Sequence, residues 1–308
     1  MRVFVAGCSG FVGTALRRRA KRQGITLGCL SRRPRPAEPG IQWFQGDAAD
    51  PPHTWHPQPE GHWAAVINLV GILRERPRQG VTFARSHVEV TRNLVSWAQE
   101  AGITRFLHMS ALGVEAAETP YQRTKLQAEE VVQNSGLRWT LFRPSVIFGR
   151  SPTGNDAVHL LMRYMAWLRV MPYFVSSAPY QLQPVYVGDV VEGFVRALAD
   201  EGAVGRVWRI GGPRVYTYRE FLRTLAHHVP GPVFLVPVPE GLMLRVSTLL
   251  QHLPFWPITP DQIRMLRGRN VAPEAKEYFA WLGRTPVSLE DYLDGKVHEE
   301  NGGGSPSA

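Results

Sequence analysis

Cysteine is scarce in this chain, because only two of its 308 residues, Cys8 and Cys29, are cysteines. Two cysteines cannot form the disulfide framework of a small secreted domain, and their scarcity is typical of a reducing compartment. The sequence also has no run of about 18 apolar residues, the length of a membrane-spanning helix. Its first residues predict a strand rather than a secretion signal. We therefore expect a cytoplasmic protein, and peripheral attachment to the inner membrane stays open.

Acidic residues are in deficit, with 26 Asp and Glu against 35 Lys and Arg, and the net charge is +9. Arginines concentrate in residues 17–22 and 32–35. This excess is compatible with a basic solvated surface, a polyanionic ligand or an anionic membrane surface. The sequence contains no recognised nucleic-acid-binding module and no interleaving of basic and aromatic residues, so we expect no nucleic-acid partner. No metal site is predicted.

A glycine-rich segment stands between an apolar run and a helix-like stretch at the start of the chain. Residues 3–6 predict a strand, Gly7-Cys8-Ser9-Gly10-Phe11-Val12-Gly13 follows at once, and residues 14–23 predict a helix. Glycines let the backbone approach a phosphate, and a helix N-terminus supplies free N–H groups and a positive dipole end. The G-x-x-G-x-x-G spacing therefore favours a dinucleotide site over a plain structural turn, which is the alternative.

Strand-like and helix-like segments alternate through the first half of the chain. Strands are predicted at residues 3–6, 26–30, 41–44, 65–70, 105–110 and 139–143, with helices at 14–23, 81–101, 125–135 and 157–168. This order predicts an α/β fold of the Rossmann type, a doubly wound parallel sheet with helices on both faces. The predicted dinucleotide-binding domain spans residues 1–150, and residues 181–215 return to it. Residues 151–180 and 216–297 are predicted to form a smaller substrate lobe, and residues 298–308 a disordered tail.

The end of the second predicted strand bears on the choice of cofactor. It reads Ser31-Arg32-Arg33, with no acidic residue to hold the adenosine ribose. Arginine at this place is suited to a 2′-phosphate, so NADP(H) is favoured over NAD(H). A merely basic loop is the alternative. Asp47 and Ala48 follow the third strand, where the carboxylate can accept a hydrogen bond from an adenine amine.

Three further residues are candidates for chemistry at the nicotinamide end. Tyr121 and Lys125 are four residues apart and would share one face of a helix. A lysine ammonium there can lower the tyrosine pKa and also bind the nicotinamide ribose. Ser110 ends the fifth predicted strand, at the edge of the sheet where ligands of open α/β sheets bind.

With these motifs the chain resembles the short-chain dehydrogenase/reductase superfamily, in its extended, epimerase-like branch. The resemblance is clear over about residues 1–215 and looser over 216–295. Its segments are the glycine motif, residues 68–71, Ser110-Ala111, Tyr121-x-x-x-Lys125, residues 143–149 and residues 184–190. Residues 68–73, 87–95, 108–113, 143–149 and 257–262 look most like one subgroup, which contains the nucleotide-binding accessory subunit of respiratory complex I and its stand-alone bacterial relatives.

The resemblance implies roles for individual residues. Ser110 would polarise a substrate carbonyl, Tyr121 would be the acid/base, and Lys125 would tune Tyr121. The backbone after Pro144 would contact the nicotinamide amide. The predicted cofactor-binding residues are Gly7, Ser9, Gly10, Phe11, Val12, Gly13, Ser31, Arg32, Arg33, Asp47, Ala48, Leu69, Val70, Gly71, Lys125, Pro144 and Val146.

Two departures from the family pattern put fast catalysis in doubt. Only 11 positions separate Ser110 from Tyr121, which leaves little chain for a loop that covers a substrate. His87 stands where many relatives carry the asparagine of a proton relay, and it is either a substitute relay or an ordinary helix histidine. For His108 we expect core packing, and for Asp189 a helix cap.

Three functions follow from these residues. The first is an NADP(H)-dependent oxidoreductase acting on a carbonyl or quinone-related substrate. The second is a non-catalytic NADPH-binding assembly or regulatory factor, linked to respiratory complex I or quinone metabolism, whose nucleotide stabilises the fold. The third is a sugar-nucleotide epimerase or dehydratase, although no diphosphate site for its substrate is recognisable.

Residues 233–260 are rich in large apolar side chains, among them Phe234, Leu242, Met243 and Leu249. We expect most of them to form the core of the smaller lobe. The alternative is an exposed apolar platform that contacts a membrane surface or a protein partner.

Overall fold

The computed structural model describes residues 1–55, 62–151, 156–175, 180–251, 258–267 and 270–297. Its strands are β1 (Arg2–Ala6), β2 (Thr26–Ser31), β3 (Ile41–Gln45), β4 (Ala65–Asn68), β5 (Arg105–Met109), β6 (Arg138–Pro144), β7 (Ile147–Phe148), β8 (Val170–Val175), β9 (Gln181–Leu182), β10 (Val185–Tyr186), β11 (Arg206–Ile210), β12 (Tyr216–Thr217) and β13 (Phe234–Pro239). Its α-helices are α1 (Phe11–Arg22), α2 (Val90–Glu100), α3 (Pro120–Gln133), α4 (Ala157–Leu168), α5 (Val187–Ala197), α6 (Tyr218–His227), α7 (Glu240–Leu250), α8 (Pro260–Arg267), α9 (Ala275–Leu282) and α10 (Leu289–Leu293).

A seven-stranded parallel sheet forms the centre of the fold. Its strand order is β11-β6-β5-β4-β1-β2-β3, so the order reverses between β1 and β4. The carboxyl ends of these two neighbours lie side by side, with Ala6 opposite Asn68. Open α/β sheets bind ligands at such a reversal point. The predicted fold class is confirmed, and the sheet places the candidate site beside the glycine loop.

Burial on both faces explains why β1 is an almost continuous apolar run. Val3 and Val5 belong to one apolar cluster, which includes Leu16 of α1 and Phe194 of α5. Phe4 belongs to a second cluster on the other face, with side chains of α2 and several tryptophans. Strands of parallel sheets covered on both faces lack the alternation of polar and apolar residues seen in half-exposed strands.

Several predicted elements differ from the observed ones. The helix predicted at 81–101 consists of a π-helical segment, Ala84–Glu89, followed by α2. α3 begins five residues earlier than predicted, because Thr119 and Gln122 form a capping box around Pro120 at its first turn. Of the segments expected to return to the sheet, only β11 joins it; β10 pairs with β7 outside it.

The two cysteines form a disulfide bond. This bond corrects the expectation that their low number indicates a reducing compartment. Cys8 follows β1 and Cys29 lies on the neighbouring β2, with their Cα atoms 5.6 Å apart. Both side chains are fully buried. Counting cysteines could not reveal the pair, because the contact depends on the register between adjacent strands.

Outside the central sheet, short strands pair with one another and α9 packs against β11. β8 and β13 form a two-stranded parallel ribbon, and β9 pairs with β12. Asp189 does not cap α5, since Tyr186 holds the cap position; its carboxylate instead accepts the Val287 N–H at 3.0 Å and pairs with Arg284 at 3.2 Å. The domain boundaries stay a prediction, and the tail at 298–308 lies outside the described residues. No helix within the described ranges is long and apolar enough to cross a membrane.

Candidate functional site

The glycine loop forms a close turn between β1 and α1. Gly7 has φ +91°, and a Cβ atom on it would lie 2.9 Å from the Leu69 carbonyl carbon. A Cβ atom on Gly13 would lie 2.2 Å from the Gly7 oxygen, so both positions require glycine. Gly10 is the N-cap residue of α1, and no side chain caps the helix there. The first N–H groups of α1 and its positive dipole end are therefore available to an anion.

A cleft with a cavity volume of about 380 Å³ opens beside this loop. The ends of β1, β2, β3 and β4 contribute to its walls. The predicted residues that line it are Gly7, Ser9, Gly10, Ser31, Arg32, Asp47, Ala48, Leu69, Val70 and Gly71. Phe11, Val12, Gly13, Arg33, Lys125, Pro144 and Val146 are not among its lining residues. Ten of the predicted cofactor residues are thus brought together from four separate segments.

The end of β2 is organised around the Ser31 hydroxyl. It donates to the Arg33 carbonyl oxygen at 2.8 Å and accepts from the Arg35 Nε at 3.4 Å. Both arginines are exposed, and Arg32 lines the cleft whereas Arg33 does not. Only one of the two arginines predicted to bind a 2′-phosphate therefore faces the cleft.

Sequence reasoning missed Arg85, which also lines this end of the cleft. Its guanidinium lies 2.6 Å from Asp50 and 3.8 Å from Asp47. The hydrogen bond with Asp50 is the main reason that the pKa of Arg85 is raised. No motif marks this arginine in the sequence, because it reaches the cleft from the π-helical segment. Asp47 itself accepts the Ala49 N–H at 3.0 Å.

The loop after β4 connects the cleft with Lys125. Asn68 anchors it, since its amide donates to Thr91 and accepts the Val70 N–H, each at 3.0 Å. A Cβ atom on Gly71 would lie 3.2 Å from Lys125 Nζ. The ammonium also donates to the backbone oxygens of Met109 at 3.0 Å and Val70 at 3.3 Å. Lys125 therefore lies directly behind a wall of the cleft.

Burial shapes the electrostatics of the three candidate catalytic residues. Tyr121 is 7% exposed, and burial raises its pKa to about 12. Lys125 is 2% exposed, and burial lowers its pKa to about 8. Ser110 Oγ is buried without a hydrogen-bond partner among the described residues. In this ligand-free structure the Lys125 charge does not lower the pKa of Tyr121 enough to offset the effect of burial. The phenol therefore stays protonated at neutral pH.

His87 holds two parts of the site together. Its Nε2 atom accepts the Ile72 N–H at 3.3 Å, and its Nδ1 atom lies 2.9 Å from Thr124 Oγ1. Because Ile72 can only donate, Nδ1 carries the ring proton and donates to Thr124. Desolvation lowers the pKa of His87 to about 2. With both ring nitrogens engaged, the arrangement favours a fixed neutral histidine over a proton relay.

His108 lies in the core below this site, as expected. Its side chain is fully buried, and neither ring nitrogen has a hydrogen-bond partner among the residues described. Burial and then the nearby Lys125 charge hold the pKa of His108 well below its usual value. Within the described ranges, no group of three His, Cys, Asp or Glu side chains is arranged to hold a metal ion.

Several known proteins are similar to this chain. Mitochondrial NADH dehydrogenase [ubiquinone] 1 alpha subcomplex subunit 9 of Mus musculus is 28% identical over 74% of the chain and 60% of its own length. The chain thus spans about three fifths of this relative. The photosystem II assembly factor Ycf39 of Guillardia theta is 24% identical over 95% of the chain and 93% of its own length.

Solved structures share the fold. MoeE5 in complex with UDP-glucose and NAD has a TM-score of 0.71 at 17% identity, covering 96% of both chains. UDP-glucose 4-epimerase of Thermus thermophilus in complex with NAD has a TM-score of 0.69 at 18% identity, covering 96% of this chain and all of its own. A family profile matches residues 3–211. The chain therefore belongs to the NAD dependent epimerase/dehydratase family.

Proposed function

We propose that this chain binds NADP(H) and acts as a nucleotide-binding assembly or regulatory factor for a membrane electron-transfer complex. The observation that carries the proposal is the contrast between a well-formed cleft and buried candidate catalytic residues that do not line it. The cleft has glycines where a Cβ atom would clash, together with an uncapped helix N-terminus. Ser110 and Tyr121, in contrast, do not line this cleft and are only 4% and 7% exposed. Both ring nitrogens of His87 are hydrogen-bonded.

The residues of the cleft fit a dinucleotide. Gly7 and Gly10 would accommodate the pyrophosphate, Arg32 a 2′-phosphate, and Asp47 an adenine amine. Gly71 and Lys125 would adjoin the nicotinamide ribose. When bound, the nucleotide would supply hydride-transfer chemistry. For an assembly factor its role is stabilisation, because a ligand that binds only the folded state favours folding.

The relatives support the choice of partner. One relative is by name a subunit of mitochondrial NADH dehydrogenase and another is a photosystem II assembly factor. Both names refer to electron-transfer complexes of membranes. An accessory protein of such a complex needs a stable folded state and a surface for its partner, and it needs no substrate pocket.

A slow NADP(H)-dependent oxidoreductase is the second candidate, and the presence of Ser110, Tyr121 and Lys125 favours it. Hydride would pass between the nicotinamide and a carbonyl or quinone-related substrate. Tyr121 would then supply the proton, and Ser110 would polarise the oxygen. The Ser110 hydroxyl is free to do so, since it has no partner among the described residues.

Nucleotide titration combined with a substrate screen separates the two candidates. We expect NADPH to bind more tightly than NADH and, at 100 times its Kd, to stabilise the fold by about 2.7 kcal/mol. We expect oxidation of NADPH by carbonyl and quinone substrates to be no faster than in the Tyr121→Phe variant. Turnover that Tyr121→Phe abolishes would establish the oxidoreductase instead, and failure to bind either nucleotide would refute both candidates.

A further inference from the structure

The ribbon of β8 and β13 presents apolar side chains to solvent. Phe234 is opposite Val170 in the strand register and Val236 follows two residues later; these side chains are 63%, 44% and 41% exposed. Trp167 and Leu168, at the end of α4 just before β8, are 73% and 48% exposed. We call these five residues the ribbon face. These five residues account for much of the large apolar side-chain surface that is exposed among the described residues. An exposed apolar patch of this kind is typical of an interaction site.

A basic groove lies on the other side of β13. It has a cavity volume of about 620 Å³, and its walls include Val233 and Leu235 of the segment that forms β13. Arg219, Arg223 and His227 of α6 also line it; their four-residue spacing places them on one face of the helix. Leu235 alternates with Phe234 and Val236 along β13, so the basic groove and the ribbon face lie on opposite faces of this edge strand.

The arginines around this strand are not neutralised within the described part of the chain. No carboxylate lies within ion-pair distance of Arg169, Arg219 or Arg223 there. Arg219 stacks over the Tyr173 ring at 5.3 Å. Glu220 is next to Arg219 in sequence, and its carboxylate accepts the Thr217 N–H at 2.8 Å as part of a helix cap. The pKa of Glu220 is lowered by its hydrogen bonds with Thr217 and also by the Arg223 charge, part of which this carboxylate offsets. The groove thus has an excess of positive charge.

The free edge of β13 is poorly suited to pair with a strand of another protein. The Phe234 N–H donates to the Arg169 oxygen, so residues 234, 236 and 238 direct their backbone groups toward β8. Residues 235, 237 and 239 then point to the free edge. Two of these three are Pro237 and Pro239, which lack an N–H. A surface that binds through side chains alone fits this edge better than strand addition does.

We propose that the ribbon face and the basic groove together dock this protein on an anionic phospholipid bilayer. Aromatic side chains such as Trp167 and Phe234 favour the interface between headgroups and acyl chains. Arginines beside them attract lipid phosphates, and their charge sign agrees with the net charge of +9. The inference does not depend on the nucleotide or on catalysis, because the basic groove shares no lining residue with the cleft and none of the ribbon-face residues lines it.

Vesicle flotation of the full chain tests the proposal. The probes are vesicles of phosphatidylcholine alone and vesicles that contain about a third phosphatidylglycerol. The apolar variant is Trp167→Ser with Phe234→Ser, and its control is Val215→Ser, an exposed apolar residue elsewhere. The basic variant is Arg219→Gln with Arg223→Gln, and its control is Arg92→Gln, an exposed arginine of α2. Circular dichroism and urea unfolding establish that each variant is folded.

We expect the wild type to float with the anionic vesicles and to remain below the neutral ones. The basic variant should lower the partition coefficient about 30-fold and the apolar variant at least tenfold. The two controls should bind like the wild type. If the wild type does not bind anionic vesicles, the proposal is overturned. The alternative occupant of this surface is then a protein partner. Binding that the apolar variant retains in full also overturns it, since general positive charge would then suffice.

Discussion

The Nδ1 atom of His87 lies 2.9 Å from the Oγ1 atom of Thr124, and this contact joins the π-helical segment to α3. Thr124 belongs to α3, which also carries Tyr121 and Lys125. The other ring nitrogen of His87 accepts the N–H of Ile72, in the loop that follows β4. One neutral imidazole therefore fixes the distance between the cleft wall and the helix that carries the candidate acid/base.

Replacing His87 with alanine should damage nucleotide binding through this loop. The variant leaves the Ile72 N–H and the Thr124 hydroxyl without their partner and creates a cavity, so we expect a loss of about 2–3 kcal/mol in the free energy of unfolding. NADPH affinity should fall about tenfold. Fluorescence titration and urea unfolding measure the two effects, with His53→Ala as an exposed control. Unchanged affinity in His87→Ala would show that the contact does not shape the cleft.

Two buried neutral histidines make the ligand-free protein sensitive to acid. The pKa of His87 is lowered to about 2 and that of His108 lies well below 6.5, so the unfolded state binds two protons below pH 6.5 that the native state does not. Asp189 opposes them, because burial raises its pKa to about 6 and its protonation then favours the folded state. We therefore expect the free energy of unfolding to fall by about 1.4 kcal/mol between pH 6 and pH 5.

Urea unfolding at pH 7, 6 and 5 measures this dependence. In His87→Ala one of the two histidine contributions is removed, and the loss between pH 6 and pH 5 should nearly vanish. A wild-type protein that is equally stable at pH 5 and pH 6 would contradict the assignment of two neutral buried histidines.

Local signals in the sequence were sufficient for β1, the glycine loop and α1, because each carries its own pattern. The run at residues 3–6 is apolar, the glycines have a fixed spacing, and α4 was placed correctly at 157–168 from its apolar residues alone. Thr119 and Gln122 are also a sequence pattern typical of a helix N-terminus. Because this capping box was not used, the predicted start of α3 was five residues too late. Propensity and spacing therefore account for the half of the fold that holds the candidate cleft.

Contacts between distant segments could not be predicted in this way. β8 and β13 pair across more than 60 residues, and β13 contains prolines that argue against a strand in isolation. The π-helical turn that directs His87 and Arg85 into the site has no sequence signature. Met243 is buried as expected, whereas Phe234, Leu242 and Leu249 are exposed. This division depends on which face of β13 and which face of α7 is covered.

The buried ammonium of Lys125 should lower the stability of the ligand-free fold and strengthen nucleotide binding. Its charge is buried and its pKa is lowered to about 8, so the ammonium destabilises the ligand-free fold at pH 7. We expect Lys125→Met to raise the free energy of unfolding by about 1–2 kcal/mol, after allowing for two unpaired carbonyl oxygens. The same variant should weaken NADPH binding at least tenfold. Thermal unfolding with and without NADPH measures both changes, and a destabilised Lys125→Met would refute this account.

Arg32 and Arg33 should differ in their effect on cofactor choice, although they are adjacent. Arg32 lines the cleft and Arg33 does not. Loss of a charge-assisted phosphate contact costs about 1.5–3 kcal/mol, so Arg32→Ala should weaken NADPH at least tenfold and leave NADH unchanged. Arg33→Ala is the matched control and should alter neither affinity by more than about twofold. Equal losses for NADPH and NADH in Arg32→Ala would mean that Arg32 does not recognise the 2′-phosphate.

The disulfide between Cys8 and Cys29 should stabilise both the fold and the glycine loop. It joins residues 21 positions apart, and closing a loop of that size in the unfolded chain is worth about 3 kcal/mol, or roughly 5 °C in Tm. Cys8 also lies between Gly7 and Ser9, which line the cleft. We therefore expect the reduced protein to melt at a lower temperature and to bind NADPH less tightly. The Cys8→Ala, Cys29→Ala variant should match reduced wild type and be insensitive to dithiothreitol. Alkylation of both thiols in unreduced, denatured protein, detected by mass spectrometry, would show that the bond does not form.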